Sequence, residues 1–291
     1  MTTSVASEQK SQATFVGFVA VVLWSLLALL TASSGQIPPF QLATMCFGLA
    51  GLCGIGLALW RGRIRAAFDQ PTKVWALGIF GLFGYHFCYF TALRHAPVVE
   101  ASLIAYLWPL LIVVFAAYLP EEKREKRHLI GAIFGLCGAG LLITKNQTIG
   151  FDSSATLGYF MAGLCAVIWS SYSVLSRRFS NIPTDIITGY CCVSCLLALL
   201  CHLGFETTIW PNTSLQWLAI IGLGLGPVGL AFFVWDYGMK KGNVALLGVL
   251  SYASPLLSTL LMIITGFAEA TWTVLIACIA ITLGALIASK G

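Results

Sequence analysis

The stretch Tyr106-Leu107-Trp108-Pro109-Leu110-Leu111 returns later in the chain as Tyr252-Ala253-Ser254-Pro255-Leu256-Leu257. Pro109 falls on Pro255 and Tyr106 on Tyr252 at a shift of 146 residues, about half of a 291-residue chain. The segments just ahead follow the same register: Ala92-Leu93-Arg94-His95-Ala96-Pro97 lies opposite Gly238-Met239-Lys240-Lys241-Gly242-Asn243. At a shift of 145, Trp24-Ser25 answers Trp169-Ser170 and Pro38 answers Pro183. The chain is two copies of one unit.

Hydrophobic residues make up 58% of the sequence and charged ones 9%, too few to coat a soluble surface. Apolar stretches of about 18 residues or more, each able to cross a bilayer, recur at 14–33, 40–60, 74–94, 98–119, 128–145, 156–177, 185–203, 214–237, 244–266 and 271–289. These predict an all-α polytopic membrane protein with ten transmembrane helices, five per copy. An odd number of spans per copy makes the second enter the bilayer from the opposite side. The fold expected is therefore two inverted five-helix repeats around a central cavity, an arrangement of transporters that alternate access to a midplane site. The expected divisions are an N-terminal tail (1–13), a first repeat (14–145), an outer linker (146–155) and an inverted second repeat (156–291).

Of the 16 lysines and arginines, 14 fall in the N-terminal tail, the C-terminus and alternate loops, and only Arg94 and Lys145 on the other side. The basic side includes Lys123 and Arg124. The positive-inside rule then places both termini in the cytoplasm, and the net charge of +5 reflects topology rather than nucleic-acid binding. Lys10 before the first stretch and Thr31-Ala32-Ser33-Ser34 after it resemble a signal peptide. Cleavage there would remove Trp24-Ser25, the partner of Trp169-Ser170, so the stretch is read as a retained span.

All ten cysteines fall within these spans and read as small apolar residues, with no metal-ligand spacing among them. Glycines at helix-contact spacing (Gly48, Gly51 and Gly54; Gly78, Gly81 and Gly84; Gly131, Gly135 and Gly138) allow close backbone approach. Pro109, Pro255 and Pro227 stand inside spans 4, 9 and 8, where a missing N–H disturbs the preceding turn. They are the candidate conformational hinges, with the carbonyls of Ala105 and Ser251 expected to need new partners.

Tryptophan and tyrosine ordinarily gather at the membrane interfaces, yet Trp24, Trp108 and Trp169 lie at mid-span. Tyr85 and Tyr89 share a face of span 3 at i, i+4, His86 adjoins Tyr85, and Tyr106 is two residues from Trp108. An indole N–H or phenol at this depth needs a partner or water, so the set predicts a cavity wall. Taken singly, each residue is equally well read as a helix-packing aromatic bonded to a carbonyl. His86 stands as the one ionisable group near the bilayer centre, free as neutral imidazole to donate once and accept once. Glu100, Asp185 and Asp236 read as helix-end residues, Asp236 paired with Lys240 at i+4. With no mid-depth carboxylate, passive gradient-driven transport without a proton relay is expected. Phosphate-bearing substrates would want a fixed positive charge that mid-depth lacks. No cofactor or metal is implied, and no hydrolase, zinc or phosphate-loop motif is present. A hydrolase would need His86 to activate Ser25, Ser102, Ser170 or Ser171, which no motif links; a receptor would not need the duplication.

The ten spans, the duplication and the stretch from Ala92 to Pro109 with its echo resemble the EamA-type branch of the drug/metabolite transporter superfamily, over the whole chain. The Gly84-Tyr85-His86-Phe87-Cys88-Tyr89 run and Tyr106-Leu107-Trp108-Pro109 are similar to the aromatic amino acid exporters of that branch. The resemblance implies a bacterial inner-membrane exporter of aromatic and other neutral amino acids and amphiphilic cations. Its substrate residues would be Trp24, Tyr85, His86, Tyr89, Tyr106, Trp108 and Trp169. It implies no cofactor, places spans 5 and 10 at the periphery or at a homodimer contact, and leaves exporters of other metabolites or drugs as the alternative.

Overall fold

The computed structural model describes residues 2–120, 125–144, 150, 152–266 and 268–290. Lys123, Arg124, Lys145 and half of the expected linker 146–155 lie outside the described residues. Among the described residues ten helices are long and apolar enough to cross a membrane, and the chain is a multi-pass membrane protein. They are span 1 (Ser7–Ser33), span 2 (Pro39–Trp60), span 3 (Thr72–His95), span 4 (Val98–Ala116) and span 5 (Lys126–Thr144). The second set is span 6 (Ser153–Phe179), span 7 (Ile186–Phe205), span 8 (Ser214–Lys241), span 9 (Val244–Ile264) and span 10 (Trp272–Ser289). The side on which span 1 begins is here the N face and the opposite side the far face. Helix begins at Thr2, so most of the expected tail continues span 1.

Five spans are interrupted near mid-depth, and four of the interruptions obey the repeat. Spans 3 and 8 each carry a π-helical turn, Phe80–Gly84 and Gly226–Leu230, at a shift of 146 residues. Pro227 explains the second, because it withholds an N–H from the ladder. In span 3 no proline is present. There Gly78 and Gly81 lie against the rings of Tyr190 and Tyr172, where any added Cβ would overlap the aromatic carbons. Span 4 stops at Ala105 and restarts at Trp108; span 9 stops at Leu250 and restarts at Ala253. Pro109 and Pro255 sit in the first turns of the restarted helices, where a missing N–H costs least. Span 1 breaks after Trp24 and resumes at Leu27.

The Ser251 carbonyl accepts from the Ser254 N–H at 3.1 Å. Because span 4 restarts at Trp108, its first-turn donors are also freed, and the Leu110 N–H donates to the Tyr252 hydroxyl of span 9 at 3.1 Å. In return Tyr106 of span 4 faces the Ser254 hydroxyl of span 9. Tyr106 and Tyr252 are repeat partners, so each half lends a phenol to the break in the other.

Glycines close the helix contacts. Gly17 of span 1 meets Gly238 of span 8, where a Cβ on Gly17 would lie 2.9 Å from the Gly238 Cα. Spans 5 and 10 pair at Gly131 and Gly284, and a Cβ on Gly131 would come 2.5 Å from the Gly284 carbonyl oxygen. The glycine face of span 5 is thus consumed inside the chain, by span 10 and Tyr252. The N-face half of span 1 packs on span 8, which also meets span 6. Toward the far face the spans part: the end of span 1 packs on spans 8 and 9, whereas that of span 3 packs on spans 4 and 6.

Tyr252→Phe strips the acceptor from a buried N–H and is expected to cost about 1–3 kcal/mol, read as a lowered thermal unfolding midpoint in detergent. Tyr237→Phe, at a residue 42% exposed, should leave the midpoint unchanged.

Candidate functional site

Where the interrupted spans meet, four indoles touch one another. Trp24 lies 6.1 Å from Trp108, 5.7 Å from Trp169 and 5.0 Å from Trp235 between ring centroids. The pairs Trp108–Trp169, Trp108–Trp235 and Trp169–Trp235 complete the set at 6.4, 6.0 and 6.3 Å. Spans 1, 4, 6 and 8 contribute one ring each. Most pairs are edge-to-face or tilted, the geometry the aromatic quadrupole favours, worth about 0.5–1.5 kcal/mol per pair beyond burial.

Two of these indoles serve the scaffold. The Trp24 N–H donates to the Pro227 carbonyl at 3.1 Å, inside the π-helical turn of span 8. The Trp235 N–H donates to Ser173 Oγ at 3.0 Å. The other two are uncommitted: the N–H groups of Trp108 and Trp169 find no acceptor among the described residues and are not sealed from solvent. The floor of the cluster therefore retains two indole donors.

Beside it stands a half-buried wall from span 3. Tyr85 and Tyr89 stack with centroids 5.9 Å apart and planes 5° from parallel, as their i, i+4 spacing predicts. Tyr85 also meets Trp169 at 5.5 Å, joining wall to floor. His86 is enclosed by Phe47, Tyr85, Phe90 and Phe232 at 5.1–6.2 Å. Its Nδ1 lies 2.7 Å from the Leu82 carbonyl, which can only accept, so Nδ1 carries the proton. The neutral ring is then left with Nε2 as an acceptor; the donor that sequence reasoning left free is spent on the backbone. Tyr89 faces the Ser102 hydroxyl. Six of the seven predicted residues thus lie in one aromatic cluster, which holds acceptors, donors and ring faces and no fixed charge; Tyr106 packs instead with Val249, Tyr252 and Leu256 of span 9.

Charges collect toward the faces instead. On the N face, Lys240 Nζ meets Asp236 Oδ2 at 2.8 Å and the Ile182 carbonyl at 3.1 Å, and Thr184 donates to the same carboxylate at 2.8 Å. Sequence reading placed this pair at a helix boundary; both side chains are in fact sealed, with their hydrogen-bond partners supplied by span 8 and the turn between spans 6 and 7. Arg177 donates to the Lys240 and Gly242 carbonyls at 3.0 and 2.9 Å, capping span 8. On the far face, the Glu206 carboxylate accepts from the Phe40 and Gln41 N–H groups, both at 3.0 Å, and pairs with Arg94 and His202. Arg94 and Lys240 are repeat partners, so each end of the bundle is clasped by the same position of a different copy.

The match to known proteins follows the same duplication. The EamA-like transporter family matches twice, over residues 12–144 and 156–290. The chain belongs to the EamA-like transporter family. A solved crystal structure superposes on this transporter with a TM-score of 0.92 at 50% identity, covering 96% of each chain. The aromatic amino acid exporter YddG of Ancylobacter novellus is 50% identical over 281 residues, 96% of this chain and 98% of its own. YddG of Escherichia coli is 25% identical over 263 residues, 87% of this chain and 88% of its own. A biotin transporter of Salmonella typhimurium is 22% identical over 242 residues, 80% and 78% of the two chains. These relatives are named as transporters and exporters, not as enzymes.

Sequence reading missed Trp235 and Phe232, which are central to the cluster of this EamA-like transporter. The repeat could have found them: at a shift of 146 residues, Phe232 falls on His86 and Trp235 on Tyr89. Trp235→Ala would empty a fully buried ring and is expected to destabilise by about 3–5 kcal/mol. Trp210→Ala, at a ring 64% exposed, should stay within about 0.5 kcal/mol of the parent. Unfolding midpoints of the purified variants test both.

Proposed function

We propose that this protein exports aromatic amino acids by alternating access, with the aromatic cluster as its substrate chamber. The observation that carries the reading is chemical: ring faces, the two uncommitted indole donors of Trp108 and Trp169, and the Nε2 acceptor of His86 share one uncharged site. A neutral zwitterion has both a donor and an acceptor to offer, and an aromatic side chain can stack on the rings. A carboxylate can take the indole N–H groups and an ammonium the imidazole lone pair. The names of the most similar relatives support the same substrate class. Amphiphilic cations suit the indole faces as well.

In this reading Trp24, Tyr85, His86, Tyr89, Tyr106, Trp108 and Trp169 contact substrate. Pro109, Pro255 and Pro227 mark where spans bend, and the divisions 1–13, 14–145, 146–155 and 156–291 are the moving and connecting parts. The N face is cytoplasmic in a bacterial inner membrane, consistent with its excess of lysine and arginine. The chamber is built within one chain, so a homodimer is not required for it. The packed N-face half and the parted far ends correspond to a state open to the far side. No carboxylate lies among the cluster residues to carry a proton, so transport runs down the substrate's own gradient.

Trp108→Ala and His86→Ala are each expected to lower phenylalanine flux in proteoliposomes by about tenfold or more, equivalent to about 1.4 kcal/mol, at wild-type folded yield. Wild-type flux in both variants would remove the chamber assignment. An imposed pH gradient should not drive phenylalanine above equilibrium; accumulation would reject the uncoupled mechanism.

A further inference from the structure

A sizeable cavity lies apart from the aromatic cluster. A groove of about 810 Å³ runs between spans 2, 7 and 8 at the N face, and none of the seven predicted substrate residues lines it. Its volume lies within the range of ligand clefts, about 300–1,000 Å³. The deeper walls are apolar, with Leu57, Leu225, Leu230 and Phe233 among them. Leu57, Leu225 and Leu230 are 42%, 45% and 51% exposed, so the groove opens sideways toward the hydrocarbon as well as toward the N face. Its rim is basic.

Four cations stand on that rim: Arg61, Arg63, Lys240 and Lys241. Two are committed, Arg63 to Asp185 at 2.9 Å and Lys240 to Asp236 at 2.8 Å. Arg61 and Lys241 have no carboxylate partner among the described residues. They approach from opposite walls, Arg61 at the end of span 2 and Lys241 at the end of span 8. Ser180 and Asn181, from the turn between spans 6 and 7, add polar groups to the same rim. Two unpaired cations above an apolar slot that is open to lipid match a phosphate carried on acyl chains. Basic pockets between transmembrane helices recognise anionic lipid head groups by this logic, and arginine is suited to the phosphate.

We propose that this groove binds one anionic phospholipid, its phosphate between Arg61 and Lys241 and an acyl chain along Leu57, Leu230 and Phe233. The occupant would bridge spans 2, 7 and 8 beside the Arg63–Asp185 and Lys240–Asp236 pairs, where the N face is held shut. The site is separate from the substrate chamber and stands whether or not aromatic amino acids are the cargo.

Native mass spectrometry of the purified full chain, titrated with phosphatidylglycerol or with phosphatidylcholine of the same acyl chains, tests it. The wild type should retain one phosphatidylglycerol with a preference of about tenfold or more. Arg61→Ala/Lys241→Ala should lose that preference, as should Leu57→Trp, which fills the slot and leaves the cations in place. Arg65→Ala/Lys73→Ala, which removes N-face cations outside the groove, should keep it, and excess glycerol 3-phosphate should not displace the lipid. Unchanged retention in the first two variants would overturn the proposal. So would an equal loss in the third, which means diffuse surface charge, or displacement by glycerol 3-phosphate, which means a free-phosphate site. Arg61→Gln/Lys241→Gln gives the same reading if the alanine pair fails to fold.

Discussion

A backbone group freed inside a membrane has no water to turn to, and the structure depends on how those groups are matched. Interrupting five spans at mid-depth opens their hydrogen-bond ladders where hydrocarbon surrounds the bundle. Two of the repairs come from the opposite repeat. The Trp24 indole of the first copy donates to the Pro227 carbonyl of the second at 3.1 Å, and the Tyr252 hydroxyl of the second accepts from Leu110 of the first at 3.1 Å. The side chains that make these repairs are large aromatics with polar tips, and one of them, Trp24, also belongs to the indole cluster.

The same economy of polar groups governs where charge can stand. A fixed charge among the tryptophans would carry the full cost of desolvation, and among the described residues none of the four indoles meets a carboxylate or ammonium. Ion pairs move to the ends of the bundle, where helix termini help to satisfy them. Glu206 caps the first turn of span 2 while pairing with Arg94 and His202; Arg177 caps the last turn of span 8 beside the Asp236–Lys240 pair. Those clasps hold opposite faces, and the repeat places Arg94 and Lys240 in corresponding positions. Each clasp ties neighbouring spans together at its own end, and the inverted duplication supplies both from one sequence position.

Much of this was legible in the residues. Periodic apolar runs located ten spans to within a few residues apart from the start of span 1, expected at 14 and found at Ser7, and the return of Tyr106–Leu111 at Tyr252–Leu257 implied the inverted architecture. Seven aromatic or imidazole side chains stood out by depth, and six of them meet in one ring cluster, Tyr106 packing instead against span 9. Trp235 escaped because span 8 was read as ending at 237; it continues to Lys241, which draws Trp235 inward from the interface. The π-helical turn of span 3 has no proline to announce it, being tied to glycines that receive rings from spans 6 and 7, and such contacts are invisible in a linear pattern. Nor could spacing show that His86 spends its donor on Leu82, since that depends on a rotamer.

The central claim is that an uncharged aromatic chamber carries a neutral aromatic zwitterion across the membrane without help from another gradient. Counterflow tests it most directly: wild-type proteoliposomes preloaded with unlabelled phenylalanine, external labelled phenylalanine, and no pH or voltage difference. The account predicts exchange well above protein-free liposomes, competed by tryptophan and unaffected by glutamate, whose extra carboxylate finds no fixed cation in the chamber. Absence of exchange by folded protein, or equal competition by glutamate, would contradict it.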